Sequence, residues 1–123
     1  MNADARVAHA TLDRLATELA KHASAGDWND ARAVWHEFET KMLDHMRQEE
    51  TDLLPGYREH DAEDAERLLQ EHEAFRAAFG KVVSDIDAAS LNPAEVRAIL
   101  NKYRMHQLHE ETGLYRWRET KKL

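Results

Sequence analysis

Two segments of this sequence follow one pattern: His45-Met46-Arg47-Gln48-Glu49-Glu50-Thr51-Asp52-Leu53-Leu54 and, 61 positions later, His106-Gln107-Leu108-His109-Glu110-Glu111-Thr112-Gly113-Leu114-Tyr115. Both segments read H-x-x-x-E-E-T-x-L. Residues four apart lie one turn above the other on the same face of a helix, so each segment presents an imidazole and a carboxylate in one direction. A helix presents metal ligands in this way.

The composition limits the kinds of site that these segments could form. The chain has 123 residues, a length typical of one domain, and we expect residues 1–123 to share a single core. The absence of cysteine excludes disulfides, thiolate nucleophiles and cysteine-held metal clusters. Any metal ion must therefore be held by His, Asp and Glu side chains.

Charge and hydropathy indicate the compartment of the protein and the kinds of ligand that it binds. The net charge is −7 and the only basic cluster is Lys121-Lys122, which argues against binding to nucleic acid or to an anionic membrane. No apolar run approaches the roughly 18 residues of a membrane span, and Met1-Asn2-Ala3-Asp4 lacks the features of a signal. We expect a cytoplasmic protein with small or neutral ligands.

Sparse Gly and Pro residues divide the chain into four long stretches in which apolar residues recur at helical spacing. The first stretch runs from about residue 3 to residue 23. Asp27 is the expected N-cap of the second, which Pro55-Gly56 is expected to close. Asp61 is the expected cap of the third, and Asn92-Pro93 marks the start of the fourth.

No stretch shows the period-two alternation that is typical of a strand. The sequence therefore predicts an all-α protein. Because the three connections are short, consecutive helices must run in opposite directions, which predicts an up-down-up-down antiparallel four-helix bundle.

Counting residues from each turn places four histidines at one level of this bundle. His9 lies 17 residues before the turn at Gly26 and His45 lies 19 after it, a difference of about 3 Å at the helical rise of roughly 1.5 Å per residue. Counted in the same way from the second turn, His72 lies level with His45. From the third turn, His106 differs from His72 by about 6 Å, which a loop can absorb.

The repeat also relates the remaining two helices to each other. His9 aligns with His72 at an offset of 63, much as the two H-x-x-x-E segments align at 61. A helical hairpin written twice predicts an approximate twofold axis, and six candidate metal ligands would surround it: His9, His45, Glu49, His72, His106 and Glu110. Two histidines for each of two ions, with carboxylates that bridge both ions, form the di-iron pattern of helical bundles.

These motifs resemble the hemerythrin-like, or HHE cation-binding, domains. The resemblance rests on a first-helix His, the two H-x-x-x-E-E segments and Glu71-His72, and it covers nearly the whole chain. It implies a non-haem centre of two iron ions, oxo- or hydroxo-bridged, that binds or reduces dioxygen, NO or peroxide. It also implies a binding or redox protein more than a dedicated enzyme, with a redox protein or an iron acceptor as the partner.

Two positions depart from the oxygen-carrying hemerythrins. Those proteins have a second histidine one turn after the third-helix ligand, where this chain has Arg76. They also place a bridging acid five residues after the last histidine, which here is Glu111 in place of Glu110. The resemblance thus implies a centre with more open coordination, closer to family members linked to iron handling, NO response or redox chemistry.

Two other functions are open alternatives. One is iron sensing, storage or donation through partner proteins. The other is a metal-free bundle in which buried His–Glu hydrogen bonds have a structural role. Of the remaining histidines, we expect His36 to face away from the site, His22 and His60 to be solvated near turns, and His109 to have at most a supporting or substitute role.

Several neighbours of the candidate ligands have expected roles. Three alternatives are open for Asp13: an ion pair with Arg76 across the axis, a vacant coordination position, or solvation of both residues. Glu50 and Glu111 are expected at most to accept hydrogen bonds from ligands. The residues expected to line the pocket are Leu12, Met42, Phe75, Tyr103 and Leu108. Among them, Tyr103 alone could donate a hydrogen bond to a bound gas.

Overall fold

The computed structural model describes residues 3–121, with side chains from residue 6 onward, and in this part of the chain every regular element is a helix. The elements are α1 (Ala3–Ala25), α2 (Trp28–Gln48), a π-helical segment (Glu49–Leu53), α3 (Leu54–His60), α4 (Ala62–Asp87), α5 (Pro93–Thr112) and α6 (Leu114–Thr120). Helices α1, α2, α4 and α5 pack around one core, which confirms the predicted all-α four-helix bundle. None of the described helices is long and apolar enough to cross a membrane.

Two of the three predicted helix caps form. The Asp61 carboxylate accepts a hydrogen bond of 3.0 Å from the backbone N–H three residues later, and the Asn92 amide oxygen accepts one of 2.8 Å two residues later. Asp27 stands at the N-cap position of α2, but its side chain makes no cap hydrogen bond. The first turn depends on Gly26, whose φ of 75° lies in the left-handed region that glycine adopts freely.

The prediction that Pro55-Gly56 closes the second helix is wrong, because the chain stays helical as far as His60. Pro55 has no N–H, and its ring would clash with the carbonyl of Thr51 in an uninterrupted α-helix. The π-helical segment replaces the usual hydrogen bonding at this point. The proline then stands in the first turn of α3, where its missing N–H is not needed.

A break at Gly113 was not predicted, and it separates α6 from α5. A Cβ atom at this position would lie 2.9 Å from the Asp64 carboxylate and 2.9 Å from the Tyr57 hydroxyl. Only glycine fits so close to both groups. The change of direction lets α6 pack on α3 and bury Leu114 and Tyr115.

Buried apolar residues form two clusters at opposite ends of the bundle. The larger joins α1, α2, α4 and α5 and contains packed aromatic rings of Trp35, Phe38 and Phe79. The smaller consists of Leu54, Tyr57, Ala65, Leu68 and Leu114. Burying each large apolar side chain contributes about 1.5–3 kcal/mol, so the two clusters hold the helices in place around the layer between them. That layer contains the buried polar residues His9, Glu49, His72, His106 and Glu110.

Candidate metal centre

Six side chains from five elements of the bundle converge in the polar layer. They come from α1 (His9), α2 (His45), the π-helical segment (Glu49), α4 (His72) and α5 (His106 and Glu110). Their donor atoms form two groups within which all atoms lie within 4.8 Å of one another: Glu49, His72, His106 and Glu110, and His9, His45 and Glu110. The structure thus brings together all six candidate ligands, and metal binding by them stays a prediction.

The four imidazoles form two pairs of similar geometry. The ring centroids of His72 and His106, here called the anchored pair, are 5.0 Å apart with the rings inclined at 64°. The centroids of His9 and His45, here called the open pair, are 5.1 Å apart with the rings inclined at 78°. This likeness is what the approximate twofold repeat of the sequence predicts.

The two buried carboxylates lie between these pairs. One oxygen of Glu49 is 3.3 Å from Nε2 of His45, and the other is 3.2 Å from Nε2 of His72. One oxygen of Glu110 is 3.7 Å from Nε2 of His9, and the other is 3.1 Å from Nε2 of His106. Each carboxylate therefore turns one oxygen toward each pair, as a carboxylate that bridges two metal ions does.

Several buried polar atoms in this layer have no partner of hydrogen-bond geometry among the described residues. They are Oε1 of Glu49, Nε2 of His72, Nε2 of His106 and Oε2 of Glu110. Leaving a buried polar atom unsatisfied costs about 1–3 kcal/mol. A cation would satisfy all four, because imidazole nitrogens and carboxylate oxygens are common metal ligands. The donor set fits a cation site.

The pKa values of these residues reflect an excess of buried negative charge. Burial and the charge of Glu49 raise the pKa of Glu110 well above its usual value. Burial would also raise the pKa of Glu49, but its contacts with Glu110, His45 and His72 hold this pKa well below its usual value. At His72, burial is outweighed by Glu110 and Glu49, and the pKa rises to about 9. The shifts at Glu110 and His72 both favour the protonated forms of these groups.

Each histidine of the anchored pair is held from behind by a carboxylate. Nδ1 of His72 donates to Glu50 at 2.7 Å, and Arg76 forms an ion pair with the same carboxylate at 2.9 Å. Nδ1 of His106 donates to Glu71 at 2.6 Å. Such bonds fix the ring orientation and the position of its proton, which leaves Nε2 available for a metal ion. The hydrogen bond that the sequence allowed for Glu50 is found.

Glu71 is the inner end of a hydrogen-bonded chain that crosses from α5 to α3. Its second oxygen accepts from Nδ1 of His109 at 2.7 Å, and Nε2 of His109 donates to Asp64 at 2.6 Å. The Tyr57 hydroxyl donates to the other Asp64 oxygen at 2.6 Å. Burial lowers the pKa of His109, but its bonds to Asp64 and Glu71 outweigh this and raise it. Each ring nitrogen of His109 faces a carboxylate oxygen, which accepts a hydrogen bond.

The chain includes His109, for which a supporting role was one of the alternatives and stays a prediction, whereas the parts of Asp64 and Tyr57 were missed. Glu71 entered the sequence comparison only as the neighbour of His72. No periodic pattern links these residues, because they stand on three different helices and meet only when the bundle is assembled.

The open pair lacks comparable support. Nδ1 of His9 has only a Glu111 oxygen at 3.5 Å, which is too long for a strong hydrogen bond, and it has no partner of suitable geometry among the described residues. Every polar contact that the structure describes for His45 is made by Nε2. The two pairs therefore differ in what holds their outer nitrogens.

A tyrosine that the sequence analysis missed lies beside the open pair. The hydroxyl of Tyr115 donates to Glu49 at 2.6 Å and lies 3.5 Å from Nε2 of His45. Tyr115 ends the second repeated segment at the position where the first has Leu54. This difference between the repeats was the available signal, and the break at Gly113 turns the residue inward.

Neither interaction considered for Asp13 is found. Asp13 forms an ion pair of 3.1 Å with Arg104 of α5, and it belongs to neither donor group of the polar layer. Arg76 instead contacts Glu50 and Glu73. The reason is the arrangement of the helices, since α1 packs beside α2 and α5 and α4 lies across the bundle from it.

The apolar lining was predicted in part. The expected residues that are buried are Leu12, Met42, Phe75 and Tyr103. Leu108 is 52% exposed and does not line the site, which corrects that expectation. The hydroxyl of Tyr103 donates to the backbone carbonyl of His9 at 3.1 Å, so it is already engaged and not directed at a bound gas.

The other histidines lie outside the polar layer. His36 is exposed on α2, as predicted, and His60 is exposed but stacks on Trp117. His22, expected to be solvated near a turn, is half-buried at the first turn. It stands near Asp27 and Asp30 at the first turn, where exposed acidic groups commonly gather without an ion.

Comparison with protein families agrees with this geometry. The model of the hemerythrin HHE cation-binding domain matches residues 3–117, a range that includes all six converging side chains. No curated protein and no solved structure matches the chain. Because the family model matches nearly the whole chain and the buried His and Glu groups agree with it, this chain belongs to the hemerythrin HHE cation-binding domain family.

Proposed function

We propose that this chain is a non-haem di-iron protein that binds or reduces dioxygen or a related diatomic ligand such as NO. The anchored pair would hold one iron ion and the open pair the other, with Glu49 and Glu110 bridging. The observation that supports this most strongly is that each buried carboxylate turns one oxygen toward each imidazole pair.

The donor set favours iron over zinc. Structural zinc sites are four-coordinate and closed, and catalytic ones have three protein ligands around one ion. Here four imidazoles share two carboxylates between bundle helices, as di-iron sites do. The iron ions would supply redox chemistry and open coordination positions for a diatomic gas or peroxide.

The surrounding residues would orient the ligands and control access. Glu50 and Glu71 would hold the imidazoles of the anchored pair in place. Phe75, whose ring packs 5.2 Å from that of His106, would help to keep this side dry. Tyr115 donates its hydroxyl proton to Glu49 next to the open pair, so it would hold this carboxylate in place.

Elemental analysis and ultraviolet-visible spectra of protein purified from iron-rich medium test this proposal. We expect about two iron atoms per chain and a spectrum that changes under air or under NO. His72→Ala should lose iron, whereas the matched control His36→Ala, on an exposed face of α2, should retain it. Iron-loaded protein that responds to neither gas would contradict gas binding, and protein without stoichiometric metal would contradict a metal centre.

Iron sensing or donation is a second candidate, and the outer nitrogen of His9, which has no hydrogen-bond partner among the described residues, favours it. A metal ion held by such ligands would exchange more readily. This function would require an iron-acceptor protein as partner, whereas gas reduction would require a redox partner. Chelation should then remove iron in stages and lower stability. Unchanged stability and no transfer to an acceptor would exclude this role.

A further inference from the structure

A pocket lies between α4 and α5, on the outer side of the polar layer. Its volume is about 570 Å³, within the range of roughly 300–1,000 Å³ that is typical of small-molecule sites. Of the neighbouring helices in the bundle, α4 and α5 are the least closely packed. Ala74 and Ala78 of α4 face Ile99 and Met105 of α5 across the gap. The small alanine side chains leave the space open.

The polar groups of this pocket lie in two sets. One set consists of Glu71, His106 and His109, and these side chains are bonded to one another. The other set consists of the exposed Asn101 and Lys102. Neither of these two makes a hydrogen bond or ion pair with any residue that the structure describes. The hydrogen-bonding groups available to a ligand are therefore an ammonium and an amide.

The unpaired state of Lys102 contrasts with its basic neighbours. Arg104, two residues later, pairs with Asp13, and Lys81 of α4 contacts two carboxylates. The chain has a net charge of −7, so carboxylates are abundant, yet none of the described ones lies beside Lys102. An external carboxylate would complement this ammonium group.

We propose that the pocket between α4 and α5 binds an amphipathic monocarboxylate. Its alkyl chain or ring would lie along the alanine wall of α4, and its carboxylate would pair with Lys102. Apolar burial would supply most of the affinity, and the single cation would set the orientation. The ligand would lie against the outer side of His106. The site depends on the fold alone and not on the metal proposed above.

Isothermal titration calorimetry of the purified full chain with decanoate, below its micelle concentration, tests this inference. We expect one decanoate per chain, bound more tightly than decanol or decyltrimethylammonium. Ala78→Trp fills the pocket and should weaken decanoate binding at least tenfold. Its matched control is Ala77→Trp, at an exposed neighbour that does not line the pocket, and it should bind as the wild type does.

The charge contribution is tested separately. Lys102→Gln should weaken decanoate binding about fivefold, the upper end for an exposed ion pair, and leave decanol binding unchanged. Lys21→Gln, at another exposed lysine without a described ion pair, should alter neither. Circular dichroism establishes that each variant is folded.

Several results would overturn the proposal: no decanoate binding, equal binding of the cationic analogue, or no effect of Ala78→Trp. Sedimentation velocity tests the alternative that a second copy of this chain occupies the pocket. A dimer that Ala78→Trp dissociates would assign the groove to a second copy of this chain and would also overturn the proposal.

Discussion

The anchored pair and the open pair present the same kind of ligand atom to the polar layer, yet they are held differently. Carboxylates of Glu50 and Glu71 bind the outer nitrogens of the anchored pair at 2.7 and 2.6 Å. In the open pair, the closest such contact is 3.5 Å, between His9 and Glu111. A carboxylate behind an imidazole orients it and increases its basicity. The two halves of the site are therefore chemically unequal.

The origin of this inequality lies in the helices behind each pair. The anchored pair stands on α4 and α5, next to α3, from which Tyr57 extends the hydrogen-bonded chain through Asp64. The open pair stands on α1 and α2, and the neighbouring group there is the Tyr115 hydroxyl of α6. The repeat duplicates the ligands, and it also duplicates Glu50 as Glu111, which stays 3.5 Å from His9. Glu71 has no counterpart, because Ala8 stands at the matching position of α1.

The largest expected effect comes from Glu110, which both pairs share. In Glu110→Ala, iron content should fall from about two atoms to less than one per chain, because each pair retains only imidazoles and Glu49. Elemental analysis measures this, with circular dichroism as a check on folding. Glu111→Ala, at the adjacent and more exposed acid, should retain both ions. Two ions retained by Glu110→Ala would show that the pairs bind metal independently of this carboxylate.

Glu71→Gln should reduce the difference between the pairs, because Glu50 still supports His72. Loss of the carboxylate behind His106 is expected to weaken one of the two metal sites by about 10–100-fold. Competition with a chromophoric chelator measures the affinities. Glu111→Gln behind His9 is the matched control, and its effect should be less than about threefold because the contact is already long. Equal effects of the two variants would mean that the pairs do not differ in support.

Tyr115→Phe tests the hydrogen bond from the Tyr115 hydroxyl to Glu49, next to the open pair. Removing the hydroxyl deprives the buried Glu49 carboxylate of a 2.6 Å hydrogen bond, so the unfolding free energy of the metal-free protein should fall by about 1.5–2 kcal/mol. Urea denaturation in the presence of chelator measures the change. Tyr103→Phe, which loses a bond to a neutral backbone carbonyl, should lower it by only about 1 kcal/mol. A Tyr115→Phe protein as stable as the wild type would contradict this role.

The smallest effect is expected at the outer end of the chain behind the anchored pair. Asp64→Asn should weaken metal binding by only about threefold, because it acts on His106 through His109 and Glu71. The same chelator competition measures it. An effect as large as that of Glu71→Gln would show that support is transmitted along the chain without loss.

Much of the fold could be predicted because its signals are local. Asp61 and Asn92 cap helices through bonds to residues two or three positions away, and these predictions are confirmed. The breaks at Pro55 and Gly113 were misjudged or missed. Pro55 prevents the usual α-helical hydrogen bonds, but it does not end the helix, because a π-helical turn replaces them. Gly113 is required by Asp64 and Tyr57, which are distant in sequence.

By itself, the sequence determined which side chains converge, because the rise of a helix is constant and the repeat places the six candidate ligands at one level. Only the tertiary structure decided how they are supported. Glu71 contacts His106, and Tyr115 contacts Glu49. Asp13 pairs with Arg104 and not with Arg76. These contacts depend on which helices are neighbours and on how each helix is rotated about its axis, and the periodicity of a single helix does not encode either. The ligands repeat along the chain, and their inequality arises between helices.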